Sequence, residues 1–201
     1  MKYQTNVKYI FTNSPNNLVF LDIETTGLDP SKGAKIVEIA MLKIIDGLEY
    51  RYETLVNPGC HISQKCFNIH FICDNMIKNS PFFVNIAKDV FSFINGCVVV
   101  CHNANFDLSF VCRELYYAGI IAKNIYYIDT LKLARQYFNF KSNKLEEIAT
   151  AVGYEMLLSH RAMADVLATV SIAKYFFANM YRKNINIIKP LIYEYNSNFQ
   201  E

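Results

Sequence analysis

The sequence has no apolar run long enough to cross a bilayer. Such a run needs about 18 residues, and none of the apolar stretches reaches that length. The segment at residues 1–17 is too polar for the apolar core of a secretory signal peptide. We therefore expect a cytoplasmic protein with no membrane partner.

Low-complexity tracts, internal repeats and linker-like segments are also missing. A chain of 201 residues can form one compact domain with a sizeable core. We expect a polar lead-in at residues 1–17, a domain at residues 18–181, and a tail at residues 182–201 that packs on the domain or binds a partner. The net charge of +2 neither requires nor excludes nucleic acid, because an acidic metal site can offset a basic rim elsewhere.

No pair of the six cysteines has the Cys-x-x-Cys spacing that is typical of zinc sites. A zinc site is still an alternative at four residues that lie close together in the sequence, namely Cys60, Cys66, His70 and Cys73. A disulfide framework is not expected without a signal sequence, because disulfides belong to secreted chains.

Two acids interrupt a short apolar run near the start of the domain. Residues 18–23 are predicted to form a buried strand, because the run is apolar and is bounded by turn residues. Side chains alternate along a strand, so Asp22 and Glu24 project from the same face. Neighbouring carboxylates repel each other and are costly to desolvate, and Mg²⁺ or Mn²⁺ would relieve both effects. The alternative is a solvated strand end whose acids have no function.

The pattern of the remaining chain indicates an α/β fold. Residues 34–45 and 48–56 alternate as strands around Asp46-Gly47, a hairpin signal, and should form an antiparallel meander with the first strand. Two further short strands are predicted at residues 98–101 and 125–128. Helices are predicted at residues 81–94, with Ser80 as N-cap and Pro81 in the first position, and at residues 105–118, 129–137, 144–152 and 161–181. The result is a mixed five-stranded sheet flanked by helices.

Two later acids could join the first pair. Asp107 lies in the first turn of a helix that follows a central strand, where the helix dipole alone would favour a carboxylate but where sites of α/β sheets are also built. Asp165 lies in an apolar helical run, where an unpaired charge is expensive. His160, five residues earlier, would be about 140° away on a helix. It can approach Asp165 only if it lies on the preceding loop.

Four acids and one histidine at the ends of three separate elements suit phosphodiester hydrolysis. Two divalent ions about 4 Å apart favour in-line displacement at phosphorus. A histidine with a pKa near neutrality suits a general base that takes a proton from water.

Three motifs in this order resemble the DEDDh (DnaQ-like) branch of the 3′–5′ exonucleases, and in particular the epsilon, or proofreading, subunits of bacterial DNA polymerase III. The motifs are Leu21-Asp22-Ile23-Glu24-Thr25-Thr26-Gly27-Leu28, His102-Asn103-Ala104-Asn105-Phe106-Asp107 and His160-Arg161-Ala162-Met163-Ala164-Asp165. The resemblance covers residues 18–180 and implies an RNase H-like fold.

The resemblance also implies the roles of individual residues. Two Mg²⁺ or Mn²⁺ ions would be held by Asp22, Glu24, Asp107 and Asp165, and His160 would be the general base. The 3′-terminal nucleotide would contact Thr25, Thr26, Gly27, Leu28, His102, Asn103 and Phe106. For Phe106, packing in the core is the alternative role.

The implied reaction is the release of nucleoside 5′-monophosphates from the 3′ end of single-stranded DNA, in replication proofreading or repair. The catalytic subunit of DNA polymerase III is then an expected partner. One alternative is an exoribonuclease that trims RNA 3′ ends. The other is a nucleic-acid-binding module without catalysis, which the cost of clustered carboxylates in a fold without a metal disfavours.

Overall fold

The computed structural model describes residues 17–45, 47–156, 160–183, 185 and 191–195. The predicted lead-in, apart from Asn17, lies outside the described residues, as do Asp46 and most of the predicted tail. The strands are β1 (Leu18–Thr25), β2 (Ile36–Ile45), β3 (Leu48–Leu55), β4 (Val98–Cys101), β5 (Ile125–Asp129) and β6 (Leu191–Tyr193). The α-helices are α1 (Gln64–His70), α2 (Asp74–Ile77), α3 (Phe83–Ile94), α4 (Ala104–Tyr117), α5 (Thr130–Tyr137), α6 (Leu145–Ala151) and α7 (Ala162–Arg182).

The strands form one mixed sheet in the order β3-β2-β1-β4-β5-β6. β1, β2 and β3 pair antiparallel, which confirms the predicted meander. Ile45 lies opposite Leu48, so the β2–β3 loop has two residues, and the second, Gly47, has the positive φ (86°) that such a loop requires. β4 pairs parallel with both β1 and β5, as the helical crossovers require.

Within the described residues the sheet has six strands, and the prediction of five was wrong. The sixth, β6, pairs antiparallel with the edge of β5, with Ile192 opposite Tyr126. Its three residues are too few to show an alternating pattern in the sequence. The strand is recognised only from the structure, by its pairing with β5 and the contact of Tyr193 with the Tyr127 ring.

Helix α3 begins at Phe83, so Ser80 is not its N-cap and Pro81 is not its first residue. The Pro81 carbonyl accepts a hydrogen bond from the Asn57 N–H (2.9 Å), and Phe82 forms an isolated bridge to Asn57. This pairing keeps the chain extended up to Phe82. The side chain of Asn85 then accepts from the Phe82 N–H (3.1 Å) and stabilises the start of the helix.

The alternation of side chains along β1 decides where its acids point. Val19, Leu21 and Ile23 face the core cluster that α3 and α4 cover, whereas Leu18 and Phe20 face the cluster built on α7. Asp22 and Glu24 continue the second face beyond its apolar part. They therefore point toward the N-terminal end of α7. No helix in the described part of the chain combines the length and apolar character of a membrane span.

Candidate active site

Three of the predicted carboxylates meet at the end of β1. Asp22, Glu24 and Asp165 can each present an oxygen so that the three atoms all lie within 4.8 Å of one another. Among the described residues, this is the group of His, Cys, Asp and Glu side chains that could hold a metal ion. β1 supplies the first two, and the first turn of α7 supplies Asp165.

Protein groups compensate the charge of this cluster only in part. Burial, then the charges of Asp107 and Asp165, raise the pKa of Asp22 well above its usual value. Burial, then the charges of Asp165 and Glu38, raise the pKa of Glu24 to about 8. Burial also raises the pKa of Asp165 to about 6, although the nearby His160 lowers it. Oδ1 of Asp165 is buried without a hydrogen-bond partner in the described structure.

Asp107 lies at the same end of the sheet but approaches from the opposite layer. It is buried in the first turn of α4, directly after β4. Burial raises its pKa well above the usual value, and the charges of Asp129 and Glu24 act in the same direction. Asp107 is therefore within electrostatic range of the cluster but not among its three closely spaced members.

His160 lies outside α7, as its spacing from Asp165 predicted. It has a left-handed backbone (φ 60°), and the helix starts two residues later at Ala162. Nε2 of His160 lies 3.2 Å from Oε1 of Glu146 on α6. The sequence did not single out Glu146, which lies in a predicted helix among other charged residues and shows no signal of its own.

An ion pair that the sequence analysis missed lies beside the cluster. Glu38 on β2 is buried and accepts hydrogen bonds from Nε and Nη2 of Arg161, the residue after His160. The available signal was an acid inside the apolar run of a central strand, Ile36-Val37-Glu38-Ile39. Such an acid needs a partner when it is buried.

The predicted substrate residues of the first motif line a cavity of about 670 Å³ next to the acids. Thr25 Oγ1 donates to the Gly27 carbonyl (2.6 Å), and the Thr26 N–H donates to the Lys35 carbonyl (2.8 Å), so the turn is held from both sides. Leu28, 80% exposed, projects from this turn. The remaining wall includes Ile69, Phe106, His61, Lys32 and Lys65.

The predicted substrate residues of the second motif differ in whether they line this cavity. Phe106 lines the cavity and also packs against the Phe110 ring (centroids 5.0 Å apart), and its contact with a substrate stays a prediction. His102 and Asn103 do not line this cavity. His102 contacts Thr130 Oγ1 through Nδ1 (2.9 Å) and the Asn143 carbonyl through Nε2 (3.0 Å). Burial lowers the pKa of His102, which favours a neutral ring. Because the Asn143 carbonyl can only accept, the proton of this ring lies on Nε2.

Asn103 is the N-cap residue of α4. Its φ of 79° is left-handed, a conformation that asparagine tolerates better than most residues. Its N–H donates to Oδ1 of Asp129 (3.2 Å), the N-cap of α5. The contacts of His102 and Asn103 hold the chain around the ends of β4 and β5, and a substrate role for them stays a prediction.

The four residues considered for zinc do not form a metal-binding group within the described residues. Cys60 is exposed, and Nδ1 of His70 accepts a hydrogen bond from the Ile72 N–H (3.0 Å). The acidic cluster is therefore where the described structure could hold a metal.

Comparison with known proteins agrees with this geometry. The RNase T family model, which describes an exonuclease, matches residues 19–173 and thus spans all three motifs. The chain belongs to this exonuclease family. The resemblance predicted from the motifs is confirmed, and the fold is the RNase H-like fold of these exonucleases.

Relatives of this exonuclease chain include DNA polymerase III proteins. It is 32% identical over 164 residues to the DNA polymerase III subunit epsilon of Buchnera aphidicola subsp. Schizaphis graminum, covering 75% of this chain and 68% of the relative. It is 36% identical over 183 residues to the PolC-type DNA polymerase III of Clostridium perfringens, covering 90% of this chain but only 12% of that polymerase. The chain therefore spans a small part of the polymerase that it matches.

A solved structure has the same fold. Exonuclease X in complex with 5′ overhanging duplex DNA superposes with a TM-score of 0.64 at 26% identity, covering 83% of this chain and 93% of Exonuclease X.

Proposed function

We propose that this chain is a metal-dependent 3′–5′ exonuclease that removes nucleoside 5′-monophosphates from the 3′ end of single-stranded DNA. The observation that carries this function is the meeting of Asp22, Glu24 and Asp165 within 4.8 Å, beside a cavity walled by the Thr25–Leu28 turn. Family membership and the names of the relatives support the reaction and the DNA substrate.

The donor set fits divalent cations. Three carboxylates with raised pKa values and an unpartnered, buried Oδ1 on Asp165 are hard oxygen ligands whose charge is offset only in part by protein groups. Two Mg²⁺ or Mn²⁺ ions would be held by Asp22, Glu24, Asp107 and Asp165. When bound, such ions make water more acidic and offset the negative charge that grows on the phosphate.

His160 is the proposed general base. It directly precedes α7's N-cap residue, is half exposed, and lies close enough to Asp165 to lower the pKa of that acid. A neutral imidazole there can accept the proton of the attacking water. The contact with Glu146 holds the ring by Nε2 in the absence of substrate.

The cavity suits a terminal nucleotide. Leu28, Ile69 and Phe106 supply apolar surface for the base and sugar, and Lys32 and Lys65 supply positive charge at the rim for phosphates. A Cβ on Gly27 would lie 3.3 Å from the Ala34 Cβ, so this position also leaves little room for a side chain. With no side chain at Gly27, the turn can approach a nucleotide through its backbone.

The expected biological setting is replication proofreading or repair, with the catalytic subunit of DNA polymerase III as the partner. The support is the similarity to an epsilon subunit and to PolC-type polymerases. The trimming of RNA 3′ ends is the alternative within the same chemistry.

The test is a digestion of 5′-labelled single-stranded DNA and RNA of one sequence, with Mg²⁺, Mn²⁺ or EDTA. We expect a ladder from the 3′ end of DNA that EDTA abolishes. Asp165→Asn should abolish it too, whereas Asp89→Asn, an exposed carboxylate on α3, should not. A ladder mainly on RNA would replace the DNA substrate by RNA. Near-normal activity of Asp165→Asn would contradict the site itself.

A further inference from the structure

A bidentate ion pair connects the second strand of the sheet to the start of α7. Nε of Arg161 lies 3.1 Å from each carboxylate oxygen of Glu38, and Nη2 lies 2.6 Å from Oε1. The Glu38 side chain is 9% exposed and that of Arg161 is 42% exposed. We call these two residues the Glu38–Arg161 clamp. Its fork geometry defines the orientation of both groups, which a lysine could not do.

The clamp also caps α7. Oε2 of Glu38 accepts the N–H of Ala162 (3.0 Å), the first residue of the helix. Arg161, at the N-cap position, provides no side-chain cap of its own. A carboxylate from a distant strand thus satisfies a free N–H and opposes the positive end of the helix dipole. Because Asp165 lies in this first turn, the contact of Glu38 with Ala162 helps to fix the position of Asp165.

The same contacts restrain His160. This residue directly precedes Arg161 and has a left-handed φ of 60°, a conformation that non-glycine residues adopt at a cost. Anchoring the neighbouring side chain holds the His160 backbone in this conformation. The direction of the His160 side chain therefore depends on the contact between Arg161 and Glu38.

The clamp also links Asp165 and His160 to β1, the strand that carries the first two acids. In the β1–β2 pairing, Glu38 lies directly opposite Glu24. One carboxylate on β2 is thus fixed relative to Glu24 by the backbone ladder and relative to Asp165 by the Ala162 N–H.

We infer that Glu38 and Arg161 are positioning residues of the exonuclease reaction, which align Asp165 and His160 with Asp22 and Glu24 without touching the substrate. This role rests on the proposed function. A role in stability alone would require the pair only to keep the chain folded. When the clamp is weakened in protein that remains folded, a positioning role predicts a loss of kcat and of Mn²⁺ affinity. A role in stability alone predicts neither loss.

The test compares Glu38→Gln, Arg161→Lys, Arg161→Gln and the double variant Glu38→Gln/Arg161→Gln with the wild type. The matched control is Glu49→Gln/Arg51→Gln, which removes an exposed ion pair on β3 (3.6 Å). Thermal melts report folding, steady-state kinetics on single-stranded DNA at saturating Mn²⁺ report kcat and KM, and calorimetry reports Mn²⁺ binding.

We expect Arg161→Lys and Glu38→Gln to lower kcat by about 10- to 100-fold, the usual effect of losing an outer partner of a ligand set. KM should change less than about threefold, because the clamp does not line the cavity. Mn²⁺ affinity should fall by about 10-fold or more. The double variant should lose little more than either single one, since both remove one interaction. The control should match the wild type.

Each outcome distinguishes a positioning role from a role in stability alone. Variants that melt earlier but keep kcat and Mn²⁺ affinity within about twofold of the wild type would overturn it and leave a structural ion pair. If Arg161→Gln does not fold, Arg161→Lys still decides, because it keeps the charge and loses the fork. A folded wild type that binds Mn²⁺ but digests neither DNA nor RNA would contradict the proposed function, and the Mn²⁺ affinities of the variants would still test the positioning of Asp165.

Discussion

Nε2 of His160 lies 3.2 Å from Oε1 of Glu146, so the proposed general base is paired with a carboxylate that belongs to neither the metal cluster nor the substrate cavity. Both side chains are nearly half exposed. Exposed pairs of this kind contribute about 1 kcal/mol or less. The pairing is therefore weak enough for the ring to leave Glu146 when a substrate binds.

Glu146→Gln should consequently change kcat by less than about fivefold, the rate equivalent of about 1 kcal/mol. The measurement is kcat on single-stranded DNA, with the exposed neighbour substitution Glu147→Gln as control. A loss as large as that of His160→Ala would instead show that Glu146 must hold the imidazole during the reaction.

His160→Ala should lower kcat by about 10²- to 10⁴-fold, the usual contribution of a positioned general base. Its affinity for Mn²⁺ should remain close to that of the wild type, because the carboxylates of the cluster are intact. Calorimetry on the same preparation checks this. An equal loss of Mn²⁺ affinity in His160→Ala and Asp165→Asn would argue that His160 acts on the ligand set and not on the proton.

The raised pKa of Glu24 predicts how stability depends on pH without metal. The folded-state pKa is about 8, above the usual value of 4.5, so the folded protein binds more protons than the unfolded chain between these values. Stability from this group is present below about pH 4.5 and is lost as the pH rises through about 8. Glu24→Gln has no charge to bury and avoids this loss.

In EDTA, the melting temperature of Glu24→Gln should therefore increase relative to that of the wild type as the pH rises from 5 to 8. The control substitution Glu147→Gln changes an exposed acid and should show no such trend. A difference from the wild type that is the same at pH 5 and pH 8 would show that Glu24 ionises normally. Saturating Mg²⁺ should reduce the difference, because the cation compensates the carboxylate in the wild type.

Leu28→Ala should raise KM for single-stranded DNA by about 10-fold with little effect on the melting temperature. Leu28 is 80% exposed and lines the cavity, so its apolar surface, which contributes about 1.5 kcal/mol when buried, is available to a nucleotide and not to the core. Leu48→Ala is the matched control, since Leu48 is also exposed (62%) but lies on β3 away from the cavity. Equal KM values for both variants would contradict a contact of Leu28 with the substrate.

Local patterns were sufficient for the elements that carry the acids. The period of two along β1 placed Asp22 and Glu24 on one face, and the structure has both within reach of Asp165. The period of 3.6 residues showed that His160 and Asp165 could not share a helical face. The structure accordingly starts α7 after His160. These features depend on neighbouring residues alone, so periodicity and turn chemistry describe them.

Features that depend on distant partners were not predicted. Strand β6 exists because the edge of β5 offers it hydrogen bonds, and α3 starts late because Asn57 pairs with Pro81 and Phe82. Their own residues carry weak or misleading signals, such as the Ser-Pro pair before α3. Local propensity yields to such tertiary contacts when several hydrogen bonds compete with one cap.

By itself, the sequence determined the strand that carries Asp22 and Glu24, the helix that carries Asp165, and the chemistry that these acids can perform. Only the tertiary structure decided that Glu38, 123 residues before Arg161, closes a bidentate pair beside them, and that His160 faces Glu146. The physical reason is the range of the interactions. Side-chain alternation and helical period act over a few residues, whereas an ion pair between a strand and a helix depends on how the whole sheet packs against α7.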